Sequence, residues 1–114
     1  MSELKSAVKF DGEKPRTDLL PAAALLQIAD VFAYGAKKYA DFNYLKGGGL
    51  KYSRLIGALL RHVFAYMMGE DVDIESGKPH LAHAGCCVMM LMETQRVKPE
   101  NDDRLHKFLE QNGN

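Results

Sequence analysis

Apolar residues recur at spacings of three and four through Leu20, Ala24, Ile28, Val31, Gly35 and Tyr39, which places them on one face of a helix. Thr17 or Asp18 can cap its start, with Pro21 in a first turn where a missing N–H is harmless. The run from Asp41 to Gly49 ends in three glycines, which do not propagate a helix cheaply and predict a loop. A second helix follows over Tyr52 to Met68. Leu55, Ile56, Leu59, Leu60, Val63, Phe64, Tyr66 and Met67 make it apolar almost all round, which predicts a central, enclosed helix ended by Gly69. A third helix is predicted from about His80 to Gln95, with Pro79 at its first position, and a short fourth from about Asp103 to Gln111, with Leu105, Phe108 and Leu109 as its stripe. Residues 1–16 show no period and carry Gly12 and Pro15, so they predict an extended arm ending in a turn. No repeat or hairpin pattern interrupts this reading. It gives an all-α fold, a small helical bundle of three main helices plus the short C-terminal one in a single domain over 1–114.

Composition narrows the partners. With 114 residues, one domain is the ceiling, and so small a bundle needs a second copy to complete its core, making a homo-oligomer with a site near the subunit interface the expectation. Fifteen Lys+Arg balance fifteen Asp+Glu, so the cationic excess of a non-specific nucleic-acid binder is absent. The longest apolar stretches, Leu55 to Leu60 and Gly85 to Met92, fall short of the ~20 residues of a membrane span, and residues 1–16 alternate charge where a signal peptide needs an apolar centre. Cys86 and Cys87 are neighbours and make no disulfide framework. A cytosolic location follows as the expectation.

Zero net charge hides an uneven distribution. Between Lys37 and Arg61 lie six cations and one acid, Asp41, whereas Glu70, Asp71, Asp73 and Glu75 lie within six residues without a cation. The glycine loop flanked by Lys46, Lys51 and Arg54 has the makings of an anion site at a helix start, the alternative being a flexible linker; it lacks the GxxxxGK[ST] order of a P-loop. Arg54 and Arg61 share one face of helix two, with His62 about 100° round from Arg61. On so apolar a helix Arg61 needs a partner, either a phosphate or an acid of the 70–75 loop or of a neighbouring subunit. That loop fails as an EF-hand because Ser76 stands where Gly is needed and Ala82 where Glu is needed, leaving a looser Mg²⁺ or Mn²⁺ site or a solvated charge run. His80, His83 and Cys87 share a face of helix three, without the fourth ligand a structural zinc site requires. Met89, Met90 and Met92 read as core filling.

Together, Lys9-Phe10-Asp11-Gly12-Glu13-Lys14-Pro15-Arg16, Gly35-Ala36-Lys37-Lys38-Tyr39 with Asn43, Arg61-His62, Gly69-Glu70-Asp71-Val72-Asp73, and Glu75-Ser76-Gly77-Lys78-Pro79-His80-Leu81-Ala82-His83 resemble the phage dATP/dGTP diphosphohydrolase family. These are relatives of the all-α MazG-type nucleotide pyrophosphohydrolases, and the likeness runs from about residue 9 to 95. The resemblance implies an oligomeric, Mg²⁺-dependent bundle that cleaves a deoxynucleoside triphosphate to monophosphate and pyrophosphate. It implies Glu70, Asp71 and Asp73 as metal ligands, Lys14, Arg16, Lys37, Lys38 and Arg61 with Arg54 as phosphate contacts, and Tyr39 and Asn43 as contacts to base or sugar. His62, His80 and His83 are then the candidate acids and bases. One departure stands out. MazG-type enzymes carry metal carboxylates on two facing helices, whereas here helix two has no acid between Lys51 and Gly69 and helix three offers only Glu93. The alternative is a non-catalytic binder that sequesters a cyclic nucleotide or ADP-ribose-type immune signal.

Overall fold

A computed structural model describes residues 6–113; the first five residues of the expected arm and residue 114 lie outside the described residues. Four α-helices follow one another: α1 (Ala22–Lys38), α2 (Tyr52–Met67), α3 (His80–Val97) and the short α4 (Leu105–Gln111). Short 3-10 turns at Thr17–Leu19, Asn43–Leu45 and Pro99–Asn101 link them. Among the described residues there is no strand, only one isolated antiparallel bridge between Val72 and Pro79. None of the helices is long and apolar enough to cross a membrane.

The first helix begins later than its apolar period suggests. Leu20 is extended (ψ 135°) because an α conformation would clash with the ring of the following Pro21, so residues 17–19 form a separate turn and the helix starts after the proline. Neither Thr17 nor Asp18 caps it; Asp18 pairs with Arg16. At the end of α2, Gly69 adopts φ +96°, its N–H bonds to Tyr66 O, and the Glu70 N–H reaches back to Ala65 O. This paired closure needs a left-handed residue, which glycine supplies without a Cβ clash.

The expected order of burial is reversed between α2 and α3. α3 packs against both α1 and α2 and buries His80, Ala82, Ala84, Cys86, Cys87 and Thr94, whereas α2 buries only Tyr52 and Leu55. Leu60, Phe64 and Met67 remain exposed on α2. The reason lies in the layering. A helix between two others is covered on two sides, so small residues such as Ala82, Ala84 and Gly85 mark the central helix better than a high apolar content. A Cβ on Gly85 would sit 2.7 Å from Ile28 Cδ1, so glycine permits the close approach of α1. The centre of the core is Val31, Ala82 and Cys86, with Ile28, Phe32 and Met90 around them. Met89 and Met92, expected as core filling, are exposed.

Two connections are stapled from the C-terminal side. The buried Asn101 amide donates to Gly48 O and Leu50 O, closing the glycine loop. The Asp103 carboxylate accepts from the Ser53 N–H and hydroxyl, so the start of α2 already holds an anion of its own chain. The α4 stripe does not pack as expected, since Leu105 and Phe108 are exposed. With residues 6–16 also exposed, the radius of gyration is 19.5 Å, against ~13 Å for a compact chain of this length.

Candidate functional site

The acidic segment after α2 is an ordered turn. Asp73 accepts from the Ser76 N–H through its side chain and from the Gly77 N–H through its carbonyl, while its own N–H bonds to Lys78 O. Ser76 Oγ accepts from the Lys78 N–H, and Asp71 O accepts from the His80 N–H. These bonds deliver the chain into α3 with His80 and His83 facing α2. Burial alone would raise the Asp73 carboxyl, but the two Ser76 hydrogen bonds and the neighbouring His83 and His62 hold it below the usual carboxylate range.

Three imidazoles converge there. His62 of α2 stacks on His83 at 4.4 Å between ring centroids with planes 10° apart, and its Nδ1 lies 2.9 Å from Nδ1 of His80. His80 is 3% exposed, and its Nε2 lies 2.5 Å from Glu70 Oε1. A carboxylate only accepts, so His80 carries its proton on Nε2 and turns a lone pair on Nδ1 toward His62. His83 Nε2 sits 2.6 Å from Ser76 Oγ and 3.9 Å from Asp73, with Tyr34 edge-on to its ring. Burial, reinforced by the neighbouring histidines, lowers the His62 pKa; burial also lowers that of His83 against the pull of Asp73. Both rings are therefore neutral at pH 7 and able to accept a proton.

Beside this cluster α1, α2, α3 and the 39–44 loop enclose a cavity of about 670 Å³, within the range of a nucleotide-sized ligand. Arg54, Arg61, Lys38, Tyr39, Asn43, His62, His83 and Asp73 line it, which brings together eight of the residues expected from the sequence. Among the described residues Arg54 and Arg61 make no ion pair, so no acid of the 70–75 loop satisfies Arg61 within the chain. Lys38 bonds to Glu75 at 2.8 Å, and this contact raises its pKa further. His80 and Glu70 are not among the lining residues. Asp71 is exposed and Lys37 is outside the lining. Lys14 and Arg16 line a separate hollow with Lys9 and Asp11.

Two contributors escaped the sequence reading. Phe42 is 72% exposed, lines the cavity and holds φ +54°, a strained left-handed conformation for a bulky residue. Ser76 links Asp73 to His83; its signal was the Asp-x-x-Ser-Gly spacing of a side-chain-capped turn.

Magnesium suits this cluster poorly. Among the described residues, the group whose ligand atoms all lie within 4.8 Å of one another is His62, Asp73 and His80, two nitrogens and one oxygen, where magnesium takes oxygen donors. Glu70 is occupied by His80, and Asp71 does not join the group.

An all-helical domain with a cationic, aromatic-lined cavity beside a histidine–carboxylate cluster is a candidate small-molecule phosphate site. Residues 5–104 match the family described as dATP/dGTP diphosphohydrolase, N-terminal, and the chain belongs to that family. It is also 34% identical over 99 residues to a dATP/dGTP diphosphohydrolase of Salmonella phage PMBT28, an alignment covering 87% of this chain and 33% of that protein. The chain thus spans about a third of that relative. No solved structure matches.

Proposed function

We propose that the α1–α2–α3 cavity binds a purine deoxynucleoside triphosphate and that the chain contributes to its hydrolysis to monophosphate and pyrophosphate. The observation that carries this reading is the pair Arg54 and Arg61, cations that pair with no acid among the described residues and face a nucleotide-sized cavity. Guanidinium groups match phosphate oxygens bidentately, and binding phosphate gives both the partner they lack. Tyr39 and Phe42 present exposed rings on which a base stacks, with Asn43 beside them for its polar edge. The purine preference comes from the relative's name.

Chemistry then falls at the histidine wall. A water placed between His83 and the α-phosphorus transfers a proton to the neutral imidazole as it attacks in line, and pyrophosphate leaves. Ser76 and Tyr34 hold the ring in place, while the arginines offset charge developing on the phosphoryl oxygens. The exposed stripe of Leu60, Phe64 and Met67, at spacings of four and three, is assigned to a second copy of the chain.

The test incubates the full chain with each of the four deoxynucleoside triphosphates, supplied as their magnesium complexes, and identifies products by mass spectrometry. Deoxyadenosine or deoxyguanosine monophosphate with equimolar pyrophosphate is expected, reduced at least tenfold in His83→Gln. Nucleotide recovered intact from the denatured protein would overturn the hydrolase reading in favour of a sequestering one. Failure to bind any of the four would overturn the triphosphate site itself.

A further inference from the structure

We infer that His62 Nδ1, His80 Nδ1 and a carboxylate oxygen of Asp73 form a binding site for a first-row transition-metal dication, with Glu70 positioning His80 as a ligand. The site goes beyond the hydrolase reading, because the donors and the metal class come from the cluster alone.

Four observations converge on it. One ligand atom from each of the three residues lies within 4.8 Å of the others, close enough to share one ion. The two Nδ1 atoms are 2.9 Å apart, the separation of adjacent ligands around a six-coordinate ion with bonds of ~2.1 Å and a few tenths of an ångström short of a tetrahedral edge. His80 is almost fully buried and gives its Nε2 proton to Glu70, so Nδ1 is the nitrogen left to ligate. A carboxylate behind a ligating histidine is the usual outer support of such a site, fixing the tautomer and strengthening the imidazole as a donor. Two imidazoles and one carboxylate favour manganese-to-zinc ions over magnesium or calcium, and three protein ligands leave positions open for water or a phosphate oxygen. Those positions adjoin the cavity, because His62 and Asp73 line it while His80 does not. Without an ion, the same 2.9 Å contact is a hydrogen bond from the His62 Nδ1–H to His80, and proton and metal are alternatives at that point.

The experiment needs no nucleotide. The full chain is stripped with a chelator, then titrated with Co²⁺ followed by visible absorption, with Zn²⁺ competition and up to 10 mM Mg²⁺ as controls. One equivalent of Co²⁺ per chain is expected, displaced by Zn²⁺ and retained in Mg²⁺. Affinity should fall at least tenfold in His62→Gln and Asp73→Asn, and about 10- to 100-fold in Glu70→Gln through the outer support. His62 is only half-buried, so His62→Gln tests the site even if substitution of the buried His80 unfolds the protein; circular dichroism checks that helicity is retained. Absence of a stoichiometric cobalt spectrum, displacement by magnesium, or affinity unchanged in His62→Gln would each overturn the site. Nucleotide turnover is read separately, so its failure leaves the metal titration decisive.

Discussion

Individual side chains set the cavity's character, and their substitution separates binding from stability. Arg54→Ala and Arg61→Ala each remove a charge-assisted phosphate contact worth about 1.5–3 kcal/mol, so affinity for the triphosphate, read by calorimetry, should fall about 10- to 100-fold. Thermal stability should hold, since neither group pairs with a described acid. Phe42 should behave in the opposite way. Replacing it with glycine relieves a left-handed conformation that costs a bulky residue about 1–2 kcal/mol, so the melting temperature should rise while nucleotide affinity drops through lost stacking. An unchanged affinity would remove Phe42 from the site. The cysteines illustrate a buried and inert chemistry. Burial pushes the Cys86 thiol up to about 12 and raises that of Cys87, so at pH 8 almost no thiolate forms. Both should resist a thiol-specific chromogenic reagent in the native protein and react together once urea unfolds it.

Helices and their ends carry a second group of consequences. Asp103, far along the chain, caps α2 by accepting from Ser53, and Asp103→Ala should cost about 1 kcal/mol in urea unfolding. Burial would raise the Asp103 carboxyl, but the Ser53 hydrogen bonds keep it below its ordinary value. A depressed folded pKa means the cap contributes fully above pH ~4 and is lost as pH falls through the folded value; Asp103→Asn should flatten that part of the stability–pH profile. Gly85 sets the approach of α1 to α3. Valine there pushes branches toward Ile28, and the resulting overpacking should cost about 1–3 kcal/mol, with α1 the first helix to lose hydrogen-exchange protection.

At the scale of the whole molecule the chain leaves much apolar surface uncovered. Phe64 and Met67 of α2 and Leu81 and Met92 of α3 are all more than half exposed. Light scattering is expected to give at least twice the 12.7 kDa chain mass, and Phe64→Glu should return the protein to the monomer without loss of helicity. A wild-type monomer at 100 µM would reject the second-copy assignment.

The sequence alone determined the helices, because periodicity, glycines and prolines act locally: the bounds of α2 and α3 fall within two residues of those read from the pattern. It also named eight residues that line the cavity, since Arg54, Arg61 and His62 follow from spacing on one helix, and the family likeness brought Lys38, Tyr39, Asn43, Asp73 and His83 alongside them. Its departures from the structure are partly local and partly tertiary. Helix two looked enclosed because apolar content records what a helix can bury, not what its neighbours cover. The pattern puts Pro21 in the first helical turn, whereas its ring excludes Leu20 from the helix, which starts at Ala22. Lys14 and Arg16, which the family motif groups with the phosphate residues, line a separate hollow. Only the tertiary structure could seat His62 against His80, turn Glu70 behind it, let Asp103 cap a helix fifty residues away, and hold Phe42 in the cavity lining. Each depends on how segments distant in the chain approach one another, and one-dimensional spacing carries no term for that distance.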